Sequence, residues 1–360
     1  DPRPELDRAI VHLRIAARLR RGDAGDGGDV RLRMAQVARR RGMYLRDRAA
    51  YADALRDLDG ALAHYRVVEA ALSTPSERLQ LDMGTSHWVH AELLHALGRP
   101  SDDSAQRARH HFTRAAALDP QGVFPLWGLA NAYGHIALAA HDRGDDPLPW
   151  IQRGLDTADM LIRRGDHIPI ADTTRLWLLH TGAGYRVARG RDPRPWLDEA
   201  RQILARTASL RDRPREHAVI GLAIETVALR HGLREARPLD DVVARADAHV
   251  ATLEAAADLE EVLQLTWLDY AAWRAILAVR QGDAASGRAR LAARLMPWSG
   301  RDDDRVDARV VAARGLRDQL ERGHDGDPNA RFDHATARLP WLAPRTAAWR
   351  AALDDVSSPP

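Results

Sequence analysis

The stretch RGDDPLPWIQRGLDTA at residues 143–158 returns as RGRDPRPWLDEARQIL at residues 189–204. The two stretches share an Arg-Gly-x-Asp-Pro-x-Pro-Trp pattern, and every residue of that pattern recurs 46 positions later. A fixed step of this size within one chain is typical of an architecture built from stacked supersecondary units. The sequence therefore predicts a repeat protein.

Small residues extend the same step beyond these two stretches. One series of positions 46 apart is Ala16, Ala108, Gly154, Ala200, Ala246 and Ala292, broken by Leu62. A second series is Gly98, Gly144, Gly190 and Gly282, with Ala236 in the gap. A small residue lets two helices approach closely, and a glycine ends a helix in the left-handed conformation. The two series therefore mark a packing contact and a turn.

The apolar residues of one unit follow the helical period. Four of them lie at three- and four-residue steps: Ile220, Ala223, Ile224 and Val227. This spacing places them on one helix face, while strand signals such as sustained apolar alternation are nearly absent. A glycine such as Gly144 then ends the helix, and an Asp-Pro step begins the next. These patterns predict an all-α fold, an α-solenoid of hairpins of about 46 residues wound as an open right-handed superhelix.

The repeat predicts where the helices lie. First helices are expected near residues 30–45, 77–97, 124–143, 171–189, 216–231 and 259–280. Second helices are expected near residues 49–72, 102–118, 147–164, 194–208, 238–256 and 284–296. The array covers residues 1–300 and begins inside a unit, because the opening Asp-Pro-Arg-Pro matches the start of a second helix at residues 192–195. Residues 301–360 are predicted to form capping helices and a frayed tail.

One unit resembles a tetratricopeptide repeat. Its closing residues have the 4, 3 and 5 spacing of small, large, small and proline: Ala108, Phe112, Ala115 and Pro120. The following helix carries residues at the places of that motif's Leu, small residue and Tyr: Leu129, Ala130 and Tyr133. The other units fit the motif loosely, because their helices and their Arg-Gly-x-Asp-Pro turns are longer.

Lengthened units of this Arg- and Ala-rich kind resemble the regions that follow the kinase domain in large bacterial serine/threonine protein kinases of high-GC, myxobacterial type. The resemblance covers residues 1–300, while the kinase motifs His-Arg-Asp and Asp-Phe-Gly are absent from the sequence. It implies a scaffold arm of a larger signalling protein that binds other proteins or self-associates, and not a phosphotransferase.

Composition excludes several enzyme classes. All 53 basic residues are Arg, and the chain contains neither Lys nor Cys. A Walker A lysine, a Schiff-base lysine, a thiol nucleophile and a thiolate metal site are therefore impossible. We predict a non-enzymatic protein without catalytic residues, cofactor or metal.

Charge and hydropathy bear on partners and location. The formal net charge is +2, but the first 48 residues carry 13 Arg against 7 acidic residues. This excess, which includes Arg39, Arg40 and Arg41, suggests nucleic-acid contact as an alternative, although we favour a solvated helix face. No apolar segment opens the chain, so a cytoplasmic location is expected. The uncharged residues 121–140 are interpreted as a buried helix and not as a membrane span.

The first helices of tetratricopeptide arrays line a concave groove, and the resemblance implies the candidate binding residues here. They are Trp127, Asn131, His135, Trp177, Asp269 and Trp273. Asn131 takes the place of the asparagine in carboxylate-clamp members of that family, and Arg175 is the donor that could replace the clamp lysines. The expected partner is a protein or peptide in the groove, with self-association as an alternative. The competing interpretation is that these tryptophans pack between helices.

A histidine-rich segment suggests a zinc site. It contains His87, His90, Glu92 and His95. The two histidines of a zinc-protease helix lie four apart on one face, whereas His90 and His95 are separated by roughly 140° around the helix. We therefore predict no metal here.

Two acidic patterns suggest other chemistry. Asp303, Asp304 and Asp307 match the DDxxD magnesium motif of terpene cyclases, so an all-α enzyme, of that kind or an α/α toroid, is the main alternative function. Residues 325–330 imitate a calcium loop but lack its required glycine.

Overall fold

The computed structural model describes residues 3–19, 27–48, 50–165, 168–207, 214–255, 261–300, 308–322, 332–333, 336–337, 346–351 and 353. Over these residues every regular element is a helix, which confirms the predicted all-α class. The long helices are α1 (Arg3–Leu19), α2 (Gly27–Asp47), α3 (Tyr51–Ala71), α4 (Glu77–Ala96), α5 (Asp102–Leu118), α6 (Val123–Asp142), α7 (Leu148–Arg164), α8 (Ile168–Ala188), α9 (Arg194–Thr207), α10 (Pro214–Arg234), α11 (Asp240–Glu254), α12 (Glu261–Arg280), α13 (Ala284–Leu295) and α14 (Ala308–Arg322). A short 3-10 helix, Met296–Trp298, follows α13.

Most helix bounds lie close to the predicted ones. The two helices of the clearest unit, α6 and α7, each begin or end within one residue of their predicted bounds. The largest difference at a helix end is in α10, which continues to Arg234 instead of residue 231. The extra residues are held in place, because Leu233 is buried and the Arg234 guanidinium donates to the Val187 carbonyl.

The chain divides into two compact units, residues 1–178 and residues 179–360. In the first unit each helix from α1 to α7 packs on the next, and α4 also packs on α6. In the second unit α10 packs on α11 and on α12, while α12 packs on α13 and on α14. First helices of successive hairpins therefore contact each other within each unit.

The same turn ends five of the first helices. The second residue after each helix end has a positive φ, and the five such residues lie 46 apart: Gly98, Gly144, Gly190, Ala236 and Gly282. At each turn the next backbone N–H donates to the carbonyl five residues before it, over 2.7–3.0 Å. This is the bond of a Schellman motif, which satisfies a carbonyl that the helix end would leave without a partner.

Arginine side chains join successive first helices in the second unit. The Arg234 guanidinium at the end of α10 donates to the Val187 carbonyl in the last turn of α8, over 2.9 Å. The Arg280 guanidinium at the end of α12 repeats this contact on the Leu233 carbonyl of α10, over 2.7 Å. The two donor arginines lie 46 residues apart, and so do the two acceptor residues, so the link returns with the same step as the turns.

Ala236 offers a test of the turn, because it is the only non-glycine residue with positive φ in the part of the chain that the structure describes. A side chain in this conformation costs about 1 kcal/mol, so Ala236→Gly should raise the free energy of unfolding by about that amount. The same substitution at Ala248, an exposed position inside α11, should lower it by about 1 kcal/mol. Urea unfolding of both variants measures the two changes, and a loss of stability in both would contradict the turn assignment.

Candidate functional site

Five aromatic rings from three first helices lie in contact in the first unit. Phe124 and Trp127 come from α6, and their ring centroids are 6.5 Å apart. Trp127 meets Trp88 of α4 edge to face at 5.2 Å, and Trp88 lies 6.3 Å from His135 of α6. His135 in turn lies 5.0 Å from Trp177 of α8. We call these five residues the aromatic ladder.

Helix geometry explains why the ladder forms. Phe124, Trp127 and His135 lie at three- and eight-residue steps, so they share one face of α6. Trp177 reaches that face because Gly134 lies beneath it, and a Cβ there would come within 1.9 Å of the indole Cζ3. The ladder therefore depends on a glycine that permits a close approach and not only on its rings.

His135 is the buried centre of the ladder. Its side chain is 6% exposed, and burial lowers its pKa to about 3, assisted by the nearby positive charges of His95 and Arg46. The imidazole is therefore neutral at physiological pH. In the part of the chain that the structure describes, its Nδ1 atom has no hydrogen-bond partner, and neither has the Nε1 atom of Trp88. Two buried polar atoms of the ladder are thus unsatisfied.

Asn131 lies on the same face of α6 but is engaged by the protein. Its Nδ2 donates to the Trp127 carbonyl over 2.8 Å and lies 3.5 Å from the Thr174 hydroxyl of α8. Arg175 forms an ion pair with Asp159 of α7 over 2.7 Å. Both groups of the predicted carboxylate clamp are therefore held by partners inside the fold.

Paired charges flank the ladder. Arg46 of α2 forms ion pairs with Asp47 over 2.7 Å and with Glu92 of α4 over 3.3 Å. His95 of α4 bonds Asp142 of α6 through its Nδ1 over 2.8 Å. Burial raises the pKa of the Glu92 carboxyl, although Arg46 opposes this. The charges beside the ladder compensate one another, so its own surface is aromatic and uncharged.

The remaining two predicted groove residues belong to the second unit. Trp273 of α12 is only 3% exposed, and its ring meets that of Trp349 edge to face at 6.2 Å. The Arg230 guanidinium lies 5.4 Å from the Trp273 ring centroid. Asp269 is partly buried one turn earlier on α12. Trp273 is thus a core residue of this unit, which agrees with packing between helices.

The sequence did not single out Trp88 and Phe124. Trp88 lies ten residues before Gly98, whereas His135 lies nine residues before Gly144. Trp88 is therefore one residue away from the repeat position that His135 occupies. A search for aromatic residues at neighbouring positions of all first helices would have found it. Phe124 precedes the periodic part of α6 and carries no such signal.

The predicted histidine cluster is dispersed. His87 stacks on His111 at 5.5 Å, and burial lowers the pKa of the two rings to about 3 and about 4. His90 contacts the Ser104 hydroxyl over 2.9 Å, and His95 contacts α6. Across the described ranges, no three His, Asp or Glu side chains converge in a metal-binding arrangement. The DDxxD residues 303–307 and the calcium-like residues 325–330 lie outside the described residues.

Two arginines of the basic run at residues 39–41 pair with acidic side chains of neighbouring helices. Arg39 contacts Asp82 of α4 over 3.2 Å, and Arg41 contacts Asp7 of α1 over 2.6 Å. Arg41 also forms two bonds with Asp57 of α3, and these hydrogen bonds raise its pKa. These guanidinium groups connect helices, which leaves fewer of them for phosphate contact.

No protein-family model matches this chain, and neither a curated protein nor a solved structure matches it. The comparisons therefore add no support to the resemblance to kinase-associated repeats. No helix in the described part of the chain is long and apolar enough to cross a membrane.

The depressed histidine pKa values predict acid-sensitive stability. Between pH 6.5 and about 3 the unfolded chain binds a proton at His135 that the folded chain excludes, so the free energy of unfolding falls as the pH falls. The slope contributed by one such group is at most about 1.4 kcal/mol per pH unit. Urea unfolding at several pH values should show a shallower dependence in His135→Phe. Phe124→Ala, which removes no titrating group, should keep the dependence of the unmodified chain, and equal slopes in all three chains would refute this account.

Proposed function

We propose that this chain is a non-catalytic protein-interaction arm: a tetratricopeptide-like α-solenoid of 46-residue hairpins in a right-handed superhelix. The observation that carries the proposal is the aromatic ladder on successive first helices. The recurrence of one turn and one arginine link at a constant step supports the repeat geometry.

The ladder has the composition of a protein-binding surface. Tryptophan is enriched among the residues that dominate binding free energy, because a large rigid ring buries much area at low entropic cost. Phe124 is 55% exposed, and Trp88, Trp127 and Trp177 are each partly exposed. Rings that a monomer leaves accessible in a contiguous row are a surface that a partner can cover.

The buried charges support a structural and not a catalytic use. Glu225 of α10 is 1% exposed and receives paired hydrogen bonds from Arg201 of α9 and Arg245 of α11. Burial opposes ionisation, yet these bonds lower the pKa of the Glu225 carboxyl. A carboxylate held ionised by two guanidinium groups is an inter-helix connector and a poor general acid or base.

The setting we propose is a bacterial signalling protein, such as a serine/threonine kinase, in the cytoplasm. The Arg-Gly-x-Asp-Pro turns and the single close tetratricopeptide match at residues 108–133 support it. Sequencing the gene upstream of the codon for Asp1 tests this setting, since a kinase or another effector domain is expected there.

The proposed binding surface makes a specific prediction for partner capture. Purified chain should retain from its source lysate a set of proteins that Trp127→Ala and Trp177→Ala no longer retain. Trp150→Ala is the matched control, because Trp150 stacks on Tyr133 at 6.1 Å from α7, outside the ladder. Quantitative mass spectrometry of the captured proteins and thermal unfolding of each variant give the result. Equal capture by all four folded chains would refute the function.

The proposed solenoid predicts an elongated particle. Small-angle scattering of the chain should give a radius of gyration above the roughly 21 Å expected for a compact domain of this length. A compact particle that releases diphosphate in the presence of magnesium, and loses this activity in Asp303→Ala, would instead establish the all-α enzyme. Binding to DNA with a steep dependence on salt would establish the nucleic-acid alternative.

A further inference from the structure

In the second unit, a segment of the chain covers the helix face that corresponds to the ladder face of the first unit. Trp273 lies nine residues before Gly282, and His135 lies nine residues before Gly144, so the two residues occupy the same place on their first helices. Asp269 and Asn131 correspond in the same way, thirteen residues before these glycines. The surroundings of Trp273 therefore indicate what the equivalent surface beside His135 accepts.

A helical segment near the C-terminus covers Trp273. Residues 346–351 are helical, and Thr346, Trp349 and Leu353 are buried at 2%, 2% and 6% exposure. Their three- and four-residue steps place them on one face of the helix, while Ala347 and Ala351 are exposed on the other. The indole of Trp349 contacts the Trp273 ring, and the Phe332 ring centroid lies 6.3 Å from that of Trp349.

The corresponding surface of the first unit is accessible. Trp88 and Trp177 flank His135 there, and both remain partly exposed. The corresponding face thus carries a covering helix in the second unit and partly exposed rings in the first.

The rings of the ladder match an indole. Trp88 and Trp177 are partly exposed, whereas the Nδ1 atom of His135 is buried and out of reach of a partner. An inserted tryptophan would therefore stack on the exposed parts of these rings, whereas an anionic group would meet flanking charges that are already paired.

We propose that the aromatic ladder docks a helical segment of another protein that inserts a tryptophan ring beside His135, as Trp349 packs on Trp273. This inference rests on the proposed interaction function and names the chemistry of the partner. The partner segment resembles residues 345–355 of this chain, RTAAWRAALDD, in having a central tryptophan and small residues on its outer face.

A labelled synthetic peptide of this sequence is the probe. A staple between the positions of Ala347 and Ala351, which are exposed and one turn apart, holds it helical and lowers the entropic cost of binding. Fluorescence anisotropy with the full chain should show saturable binding. The peptide carrying Trp349→Ala should not bind.

Variants of the full chain locate the site. Trp127→Ala and Trp177→Ala should each weaken peptide binding by about tenfold or more, as truncation of a central aromatic residue does. Trp150→Ala should leave it unchanged.

Several outcomes overturn the inference. They are the absence of peptide binding to the folded chain, equal weakening by Trp150→Ala, and binding that the ladder variants leave intact. If these occur while partner capture still depends on Trp127 and Trp177, the proposed function stands and only the tryptophan-helix chemistry fails. A concentration-dependent self-association that the ladder variants abolish would show that a second copy of this chain is the occupant, and would overturn the assignment to another protein.

Discussion

The bond from the backbone N–H after each left-handed residue to the carbonyl five residues earlier is the constraint on which this structure depends. It ends the first helix, reverses the chain and starts the second helix at a fixed place. Because it returns every 46 residues at Gly98, Gly144, Gly190, Ala236 and Gly282, each of these first helices ends at an equivalent place in the repeat. The inter-helix contacts at the helix ends, such as Arg234 to Val187 and Arg280 to Leu233, then repeat because their backbone partners repeat.

Because the turns recur at a constant step, equivalent positions of the first helices can carry different side chains without changing the helix ends. Once the turns fix where each first helix ends, the residues nine and thirteen positions earlier occupy equivalent places on their own helices whatever their chemistry. In the first unit these positions hold His135 and Asn131, and in the second they hold Trp273 and Asp269. The repeat therefore determines where on the helix a side chain lies, while the local sequence determines whether it joins the aromatic ladder, forms an internal hydrogen bond or packs in the core.

The sequence predicted the features that local interactions decide. The glycine series located the turns, and the apolar period with the Asp-Pro steps located α6 and α7 to within one residue. The residues of the ladder were predicted only in part, because contacts between rings on different helices decide which residues belong to it. Trp88 joins through its contacts with Trp127 and His135, and Gly134 admits Trp177. The cover over Trp273 comes from Trp349, 76 residues away in sequence, and no periodic pattern relates the two. Likewise, the sequence of the basic run at residues 39–41 does not predict that Arg41 pairs with Asp57 and Arg39 with Asp82.

The absence of lysine gains a structural meaning from these contacts. Arg201 and Arg245 each present two N–H groups to the Glu225 carboxylate, and Arg41 does the same for Asp57. The Arg294 guanidinium lies 3.7 Å from the centroid of the Trp267 ring. A planar, permanently charged fork forms such bidentate and stacked contacts, and the point charge of an ammonium group does not. Several guanidinium groups therefore hold helices together and are paired with carboxylates. For the interaction arm that we propose, guanidinium groups paired in this way are less available to nucleic acid or anionic groups, which is why we assign recognition to the uncharged aromatic ladder.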